Sequence, residues 1–151
     1  MLKKIFVKLF VNTEIKDDIE FLSNISFFSK LTSWELKKVI SIMYKKEYLK
    51  GEVIYNKGED SKLFCILKKG KVELFDGKDK KNLEANDIFG QKSLMNENAV
   101  YANTATVQEK SLVYIIYKYD FERLMAADTR IGFKIAKILL DNLYDRYNNN
   151  L

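Results

Sequence analysis

The pattern of apolar positions along the chain changes its period near Lys46. Before that residue, apolar side chains recur every three or four positions, which is typical of amphipathic helices. After it, short runs of β-branched and aromatic residues are separated by glycine-containing turns, which predicts short β-strands. The helical period returns from Lys118 onward. The pattern therefore predicts helices at both ends of the chain and a mainly β segment between them.

The first 22 residues are predicted to be helical, with a break near Asn12 and Thr13. In the helix predicted over residues 2–11, the apolar residues lie on one side and the lysines on the other. A short basic amphipathic helix can lie on an anionic membrane. Because a few lysines anchor a helix only weakly, docking on the domain or on a partner chain is favoured. No small-residue cleavage site follows, so export is not expected and a cytoplasmic protein is predicted.

A second helix is predicted by a capping signal, because Thr32 or Ser33 is followed by Glu35. The apolar face of this helix is predicted to comprise Trp34, Leu36, Val39, Ile40 and Met43.

The central segment contains several short runs with strand character. The predicted strands are 48–49, 53–55, 63–67, 72–74, 104–108 and 112–117. Asp76-Gly77 predicts a hairpin in which both turn residues have positive φ. Short strands at regular turn spacing favour a barrel or roll of about eight strands over an α/β sheet. Beyond it, Asp120 is predicted to cap a helix over 121–127, and a longer helix is predicted from Thr129 to Tyr147.

Composition narrows the possible functions. The net charge is +5, but most of the positive residues are scattered lysines, and base recognition favours clustered arginine, so nucleic acid is not favoured. Histidine is absent, which removes the commonest general base and metal ligand. The single cysteine, Cys65, lies in an apolar run and is interpreted as a buried core thiol. Without paired carboxylates, metal-ligand spacing or a nucleophile beside a base, an enzyme is not expected.

The stretch from Asn86 to Val107 has the pattern of an anion-binding loop. A turn at Asn86-Asp87 leads to Phe89-Gly90, a short helical turn over 91–95, a polar loop and a β-branched strand. A glycine that opens a short helix leaves backbone N–H groups directed at one point. Such a group of donors can hold an anion such as a phosphate.

Three phrases of the sequence resemble the cyclic nucleotide-binding domain family in order and separation: K-G-E-V-I-Y-N-K-G-E, F-C-I-L-K-K-G-K-V-E-L and A-N-D-I-F-G-Q. The resemblance covers about residues 21–143 and implies an α+β, mainly β fold. This fold is a jelly-roll β-barrel flanked by N-terminal and C-terminal helices. It divides the chain into an N-terminal helical extension (1–22), the roll with its leading and trailing short helices (23–127) and a C-terminal helix (128–151).

The resemblance also implies a ligand site, although two side chains depart from the family pattern. In the family, F-G-Glu leads through a loop to Arg-Ser/Thr-Ala. The Glu binds the ribose 2′-hydroxyl and the Arg binds the cyclic phosphate. Those two positions are Gln91 and Asn103 here. The implied candidate site consists of Phe89, Gly90, Gln91, Ser93, Leu94, Asn103, Thr104 and Ala105.

The loss of arginine is the more serious departure. Arginine brings a permanent charge and a bidentate fork to phosphate, whereas asparagine brings a neutral amide. We therefore expect weak or absent binding of cyclic AMP or cyclic GMP. Lys92 or another lysine can supply a positive charge, but the sequence does not place it.

Two function classes remain open. One is a stand-alone sensor that signals through its C-terminal helix; the other is a ligand-free assembly module. In the family's transcription regulators this helix forms the dimer interface, and a DNA-binding domain follows it. No DNA-binding domain is expected here. The helix carries two apolar stripes: Ile131, Ile135, Ile138, Leu139 and Asn142, and separately Phe133, Ala136, Leu140, Leu143 and Tyr147. One stripe can pack on the chain itself, so the other predicts a homodimer. The alternative is a monomer in which the N-terminal helix, with Phe6, Leu9 and Phe10, folds back and covers the second stripe.

Overall fold

The computed structural model describes residues 2–149, and it describes their side chains apart from those of 2–12, Ser93 and Met95. The helices are α1 (Leu2–Ser23), α2 (Ser33–Ile40), α3 (Lys118–Ala127) and α4 (Thr129–Asn149), with 3-10 helices at Ser26–Phe28 and Gln91–Met95. The strands are β1 (Met43–Tyr48), β2 (Val53–Tyr55), β3 (Leu63–Phe75), β4 (Lys80–Leu83), β5 (Ile88–Phe89) and β6 (Thr104–Tyr117). The chain divides into a sheet unit, Ile42–Phe121, and a helical unit, Met1–Ser41 with Glu122–Leu151. The domain boundaries predicted from the sequence stay predictions.

In the helical unit, α1 runs without interruption through Asn12 and Thr13, so the predicted break is wrong. Both residues are only moderate helix formers, and neither removes a backbone donor as proline does. A polar pair by itself therefore does not end a helix that continues on both sides.

Helix α2 begins with the predicted cap. Thr32 Oγ1 accepts from the backbone N–H of Glu35 at 3.3 Å, and Glu35 Oε2 accepts from the backbone N–H of Thr32 at 2.8 Å. Leu36 and Val39 are buried as predicted, but Trp34 is 64% exposed. Trp34 precedes Leu36 by two residues and thus points to a different side of the helix. The assignment of Trp34 to the buried face was wrong, as was that of Met43, which begins β1.

Two ion pairs join α2 to the start of α4 within the helical unit. Lys134 Nζ lies 2.7 Å from Glu35 Oε2, and Lys38 Nζ lies 2.5 Å from Asp128 Oδ2. Asp128 Oδ1 also accepts from the backbone N–H of Arg130, which caps α4. Helix α3 begins at Lys118, so Asp120 lies within its first turn and is not the predicted cap.

The sheet unit confirms the predicted fold class, a mostly antiparallel sheet with flanking helices, although the sheet is not a closed barrel. Its strands follow the order β1-β6-β3-β4, with β2 paired to β6 and β5 paired to β3. β3 and β6 each continue through a bend where two strands were expected, so four of the strands listed from the sequence merge into two. With β4 and β5, which were not listed, the described residues form six strands instead of about eight. Gly70 makes the bend possible: its φ is 101°, and a Cβ there would lie 2.7 Å from Ser111 Cα.

The hairpin at Asp76-Gly77 is present, but its turn differs from the prediction. Gly77 has φ 101°, whereas Asp76 does not have positive φ. Asp76 Oδ1 instead accepts from the backbone N–H groups of Lys78 and Asp79, each at 2.8 Å. The loop is longer than two residues, so the aspartate acts through its carboxylate.

Cys65 is fully buried, and burial raises the pKa of its thiol. It belongs to the apolar core of the sheet unit, whose buried members are Tyr48, Tyr55, Cys65, Leu67, Val72, Leu83, Phe89, Tyr101, Ala105, Val107, Val113 and Ile115.

Candidate functional site

The backbone of the cassette, by which we mean residues 86–107, is set by two left-handed residues. Asn86 has φ 78° in the turn before β5, and Gly90 has φ 79° immediately before the 3-10 helix. A Cβ at Gly90 would lie 3.1 Å from the carbonyl oxygen of Leu63 and 3.4 Å from Phe64 Cα. Both the conformation and the close approach to β3 therefore require glycine at this position.

The structure places the candidate residues on two segments of the sheet unit. Gln91 and Leu94 lie half-buried on the 3-10 helix, while the side chain of Ser93 lies outside the described residues. Asn103 lies directly before β6, and Thr104 begins that strand. The remaining two candidates, Phe89 and Ala105, are buried in the apolar core.

Asn103 is held by a tyrosine that the sequence analysis did not select. Tyr55 Oη donates to Asn103 Oδ1 at 3.3 Å. Burial, with smaller contributions from Cys65 and Tyr101, raises the pKa of Tyr55, so its hydroxyl stays protonated and able to donate. Because the amide oxygen accepts this bond, the NH₂ group is the donor that Asn103 can offer to an anion.

Tyr101 is a second residue that the sequence analysis missed. Its ring stacks on that of Tyr55, with centroids 3.7 Å apart and planes 9° apart. The Tyr101 hydroxyl donates to the carbonyl oxygen of Leu63 at 2.9 Å, and the backbone N–H of Leu63 donates to the Tyr101 hydroxyl oxygen at 3.2 Å. Tyr101 and Asn103 both lie before β6, so strand alternation from Ala105 does not extend to them and gave no signal for Tyr101.

Thr104 is tied to the turn after β2. Its Oγ1 accepts from the backbone N–H of Lys57 at 3.0 Å. The side chain of the same lysine donates through Nζ to the backbone oxygen of Asp76. Lys92, which the sequence analysis named as a source of positive charge, is exposed on the 3-10 helix.

The other end of the 3-10 helix contacts the start of α3. Lys118 Nζ donates to the backbone oxygen of Asn96 at 3.0 Å, and the Lys118 N–H donates to the backbone oxygen of Lys62 at 2.9 Å. The first residue of α3 is thereby attached both to the cassette and to the residue before β3.

Among the side chains that the structure describes, no three His, Cys, Asp or Glu residues are grouped so as to hold a metal ion. None of the helices in the described part of the chain is long and apolar enough to cross a membrane.

A glycine-opened cassette packed on an antiparallel roll defines the class of domain that binds cyclic nucleotides. The family model for the cyclic nucleotide-binding domain matches residues 45–128, which is more than half of the chain, and the chain belongs to this family.

The relatives include proteins much longer than this chain. Human cGMP-dependent protein kinase 2 is 29% identical over 110 residues, which cover 68% of this chain and 14% of the kinase. The cAMP-dependent protein kinase regulatory subunit of Hypocrea atroviridis is 26% identical over 106 residues, covering 70% of this chain and 23% of that protein. The chain therefore spans less than a quarter of the length of these relatives.

Solved structures agree in fold. The structure of PKAR CBD2 bound to Sp-2Cl-cAMPS has a TM-score of 0.74 at 25% identity, and the matched region covers 91% of this chain and 89% of that structure's chain. The N-terminal domain of a transcriptional regulator from Streptomyces coelicolor A3(2) has a TM-score of 0.76 at 14% identity, covering 87% of this chain and 95% of its own.

Proposed function

We propose that this chain is a regulatory module that binds a cyclic mononucleotide weakly at the cassette and signals through its C-terminal helix to a partner. The names of the relatives supply the ligand class, because they include cGMP-dependent and cAMP-dependent proteins and a domain bound to a cyclic AMP analogue. The similarity extends over only 14% of the kinase, so the proposal concerns nucleotide binding and not phosphoryl transfer.

The observation that carries the weak affinity is Asn103 at the arginine position. The residue is held at the entrance to β6 by Tyr55, two positions before the buried Ala105. A charge-assisted hydrogen bond contributes about 1.5–3 kcal/mol, whereas a neutral one contributes about 1 kcal/mol. Exchanging a bidentate guanidinium pair for one amide donor therefore lowers affinity by about 30-fold or more.

Gln91 weakens the other end of the site to a smaller degree. Its amide can still accept from a ribose 2′-hydroxyl, and it can also donate. The bond lacks the charge of a carboxylate, so it is about half as strong. Recognition of the ribose is thus reduced rather than abolished.

The contact between Lys118 and Asn96 supports signalling through the C-terminal segment. A ligand that reorders the 3-10 helix displaces the Asn96 carbonyl oxygen, and Lys118 is the first residue of α3. Helix α4 follows after Asp128, with Ile131 and Ile135 buried. A change at the cassette is therefore passed directly to the chain that leads into α4.

Part of α4 is available to a partner. The second apolar stripe predicted from the sequence includes side chains that the structure leaves open: Phe133 is 71% exposed, Leu140 64%, Leu143 43% and Tyr147 67%. Soluble monomers seldom leave such a patch uncovered. We expect a second copy of this chain to cover it. The same stripe favours the second candidate function, a ligand-free module that assembles through α4.

Thermal melting with added ligand tests the proposal. A ligand that binds only the folded state raises the melting temperature according to its concentration relative to Kd. We expect cyclic AMP or cyclic GMP to raise it at millimolar and not at micromolar concentration. No shift at millimolar concentration would leave the ligand-free assembly module as the function.

A further inference from the structure

Lys57 and Asp76 flank the start of β6 on its two sides, next to Asn103, which stands where the family has arginine. On one side, the Lys57 N–H donates to Thr104 Oγ1 at 3.0 Å. On the other side, Phe75 pairs with Thr104, so the next residue, Asp76, lies beside Asn103. The ammonium group of Lys57 donates to the backbone oxygen of Asp76. The lysine side chain therefore crosses the start of β6 at the level of Asn103 and Thr104.

This crossing lies beside two residues of the candidate site, Asn103 and Thr104. Ala105 pairs with Tyr55 on one side and with Leu74 on the other, and all three contribute to the apolar core. The Tyr55 hydroxyl reaches Asn103 Oδ1 from this core face. Lys57 lies in the turn after β2, where its backbone N–H is bound to the side chain of Thr104, the residue next to Asn103.

The present partner of the ammonium group is easily exchanged. It is a neutral, exposed backbone carbonyl, whereas the nearby Asp76 carboxylate is already bound to two backbone N–H groups. The bonds from Asp79 and Lys78, together with the charge of Lys57, lower the pKa of Asp76. The ammonium group now bonds directly only to a carbonyl oxygen and interacts with the Asp76 carboxylate through its charge. A phosphate offers it a direct charge-assisted hydrogen bond, and lysine binds phosphate as a mobile point charge.

We infer that Lys57 is the phosphate-binding cation of this cassette and takes the part that arginine has at the position of Asn103 in the family. The lysine leaves the Asp76 carbonyl and moves to the cyclic phosphate, while the amide NH₂ of Asn103 donates to the same group. This inference rests on the proposed function, because it names the residue that retains phosphate binding after the loss of arginine.

The test compares variants of the full chain by calorimetric titration with cyclic AMP, cyclic GMP and the nucleoside adenosine, which has no phosphate. Lys57→Met removes the charge and keeps the length of the side chain. We expect it to weaken cyclic nucleotide affinity about tenfold or more and to leave adenosine affinity unchanged. Lys57→Arg restores the affinity. Lys50→Met is the matched control, because it removes the same charge from an exposed position outside the cassette, and it changes affinity less than twofold.

The outcomes separate this inference from the proposed function. If the unmodified chain binds cyclic nucleotide and Lys57→Met binds it equally well, Lys57 is not the cation, whereas the proposed function stands. If Lys57→Met weakens adenosine as strongly as cyclic AMP, its role is structural and the inference is wrong. If only an Asn103→Arg variant binds, Lys57 does not replace arginine. If neither the unmodified chain nor Asn103→Arg binds, the proposed function fails together with this inference.

Discussion

Replacing Asn103 by arginine should move stability and ligand affinity in opposite directions. The substitution removes the acceptor of the buried Tyr55 hydroxyl, which is bound to Asn103 Oδ1 at 3.3 Å. Losing one neutral hydrogen bond lowers the free energy of unfolding by about 1 kcal/mol. In return, a guanidinium can make two charge-assisted bonds to phosphate, about 3–6 kcal/mol together, in place of one amide bond of about 1 kcal/mol. The net gain of about 2–5 kcal/mol raises cyclic nucleotide affinity by about 30-fold or more.

Calorimetry gives the affinity of Asn103→Arg for cyclic AMP and cyclic GMP, and urea unfolding without ligand gives its stability. Tyr55→Phe is the matched background, because it removes the hydroxyl without adding charge. In that background Asn103→Arg should cost little stability and still raise affinity. A stable Asn103→Arg variant whose affinity rises less than threefold would refute the reasoning, since it would mean that the cassette does not admit the phosphate.

Three further predictions concern the cassette and the helices. Gly90→Ala should lower the free energy of unfolding, measured with urea, by about 1–2 kcal/mol and abolish nucleotide binding. The control is Gly51→Ala, because Gly51 also has positive φ but no atom lies within 4 Å of the added Cβ, so this variant should lose less stability. Leu140→Asp should shift the sedimentation mass from dimer to monomer, and a monomeric parent chain would exclude the dimer. Burial raises the pKa of Glu35, but the hydrogen bonds from Lys134 and Thr32 have the larger combined effect and lower this pKa below its ordinary value of 4.5. The stability that this carboxylate contributes is therefore lost as the pH falls below 4.5. Glu35→Gln should flatten the acid arm of a stability–pH curve, and an unchanged arm would contradict this.

Several turns and the cap of α2 were predictable because their signals are local. The glycine that opens the 3-10 helix at Gly90, positive φ at Gly77, the turn at Asn86 and the cap formed by Thr32 and Glu35 each depend on residues within a few positions of one another. Short-range sterics and side-chain capping determine such features almost independently of the rest of the fold.

The residues around Asn103 were not predictable in the same way. Tyr55 and Lys57 approach the cassette from 48 and 47 positions away in the sequence, and only the pairing of β2 with β6 brings them there. That pairing includes a register irregularity, and a shift of one residue would turn each side chain to the opposite face. The predicted number of strands was wrong for a related reason. In the sequence Gly70 resembles the turn between two strands, whereas in the structure β3 and β6 remain paired on both sides of the bend.

The most direct test of the central claim is an amide ¹H–¹⁵N NMR titration of the full chain with cyclic AMP and with cyclic GMP. If the cassette binds a cyclic nucleotide weakly, the resonances of Gly90, Thr104 and Ala105 should move continuously, in fast exchange, as ligand reaches millimolar concentration. Resonances from the exposed end of α4, such as that of Asp145, should move less. Cassette resonances that stay fixed at millimolar ligand would contradict nucleotide binding. Separate free and bound resonances at micromolar ligand would contradict the weakening that we assign to Asn103.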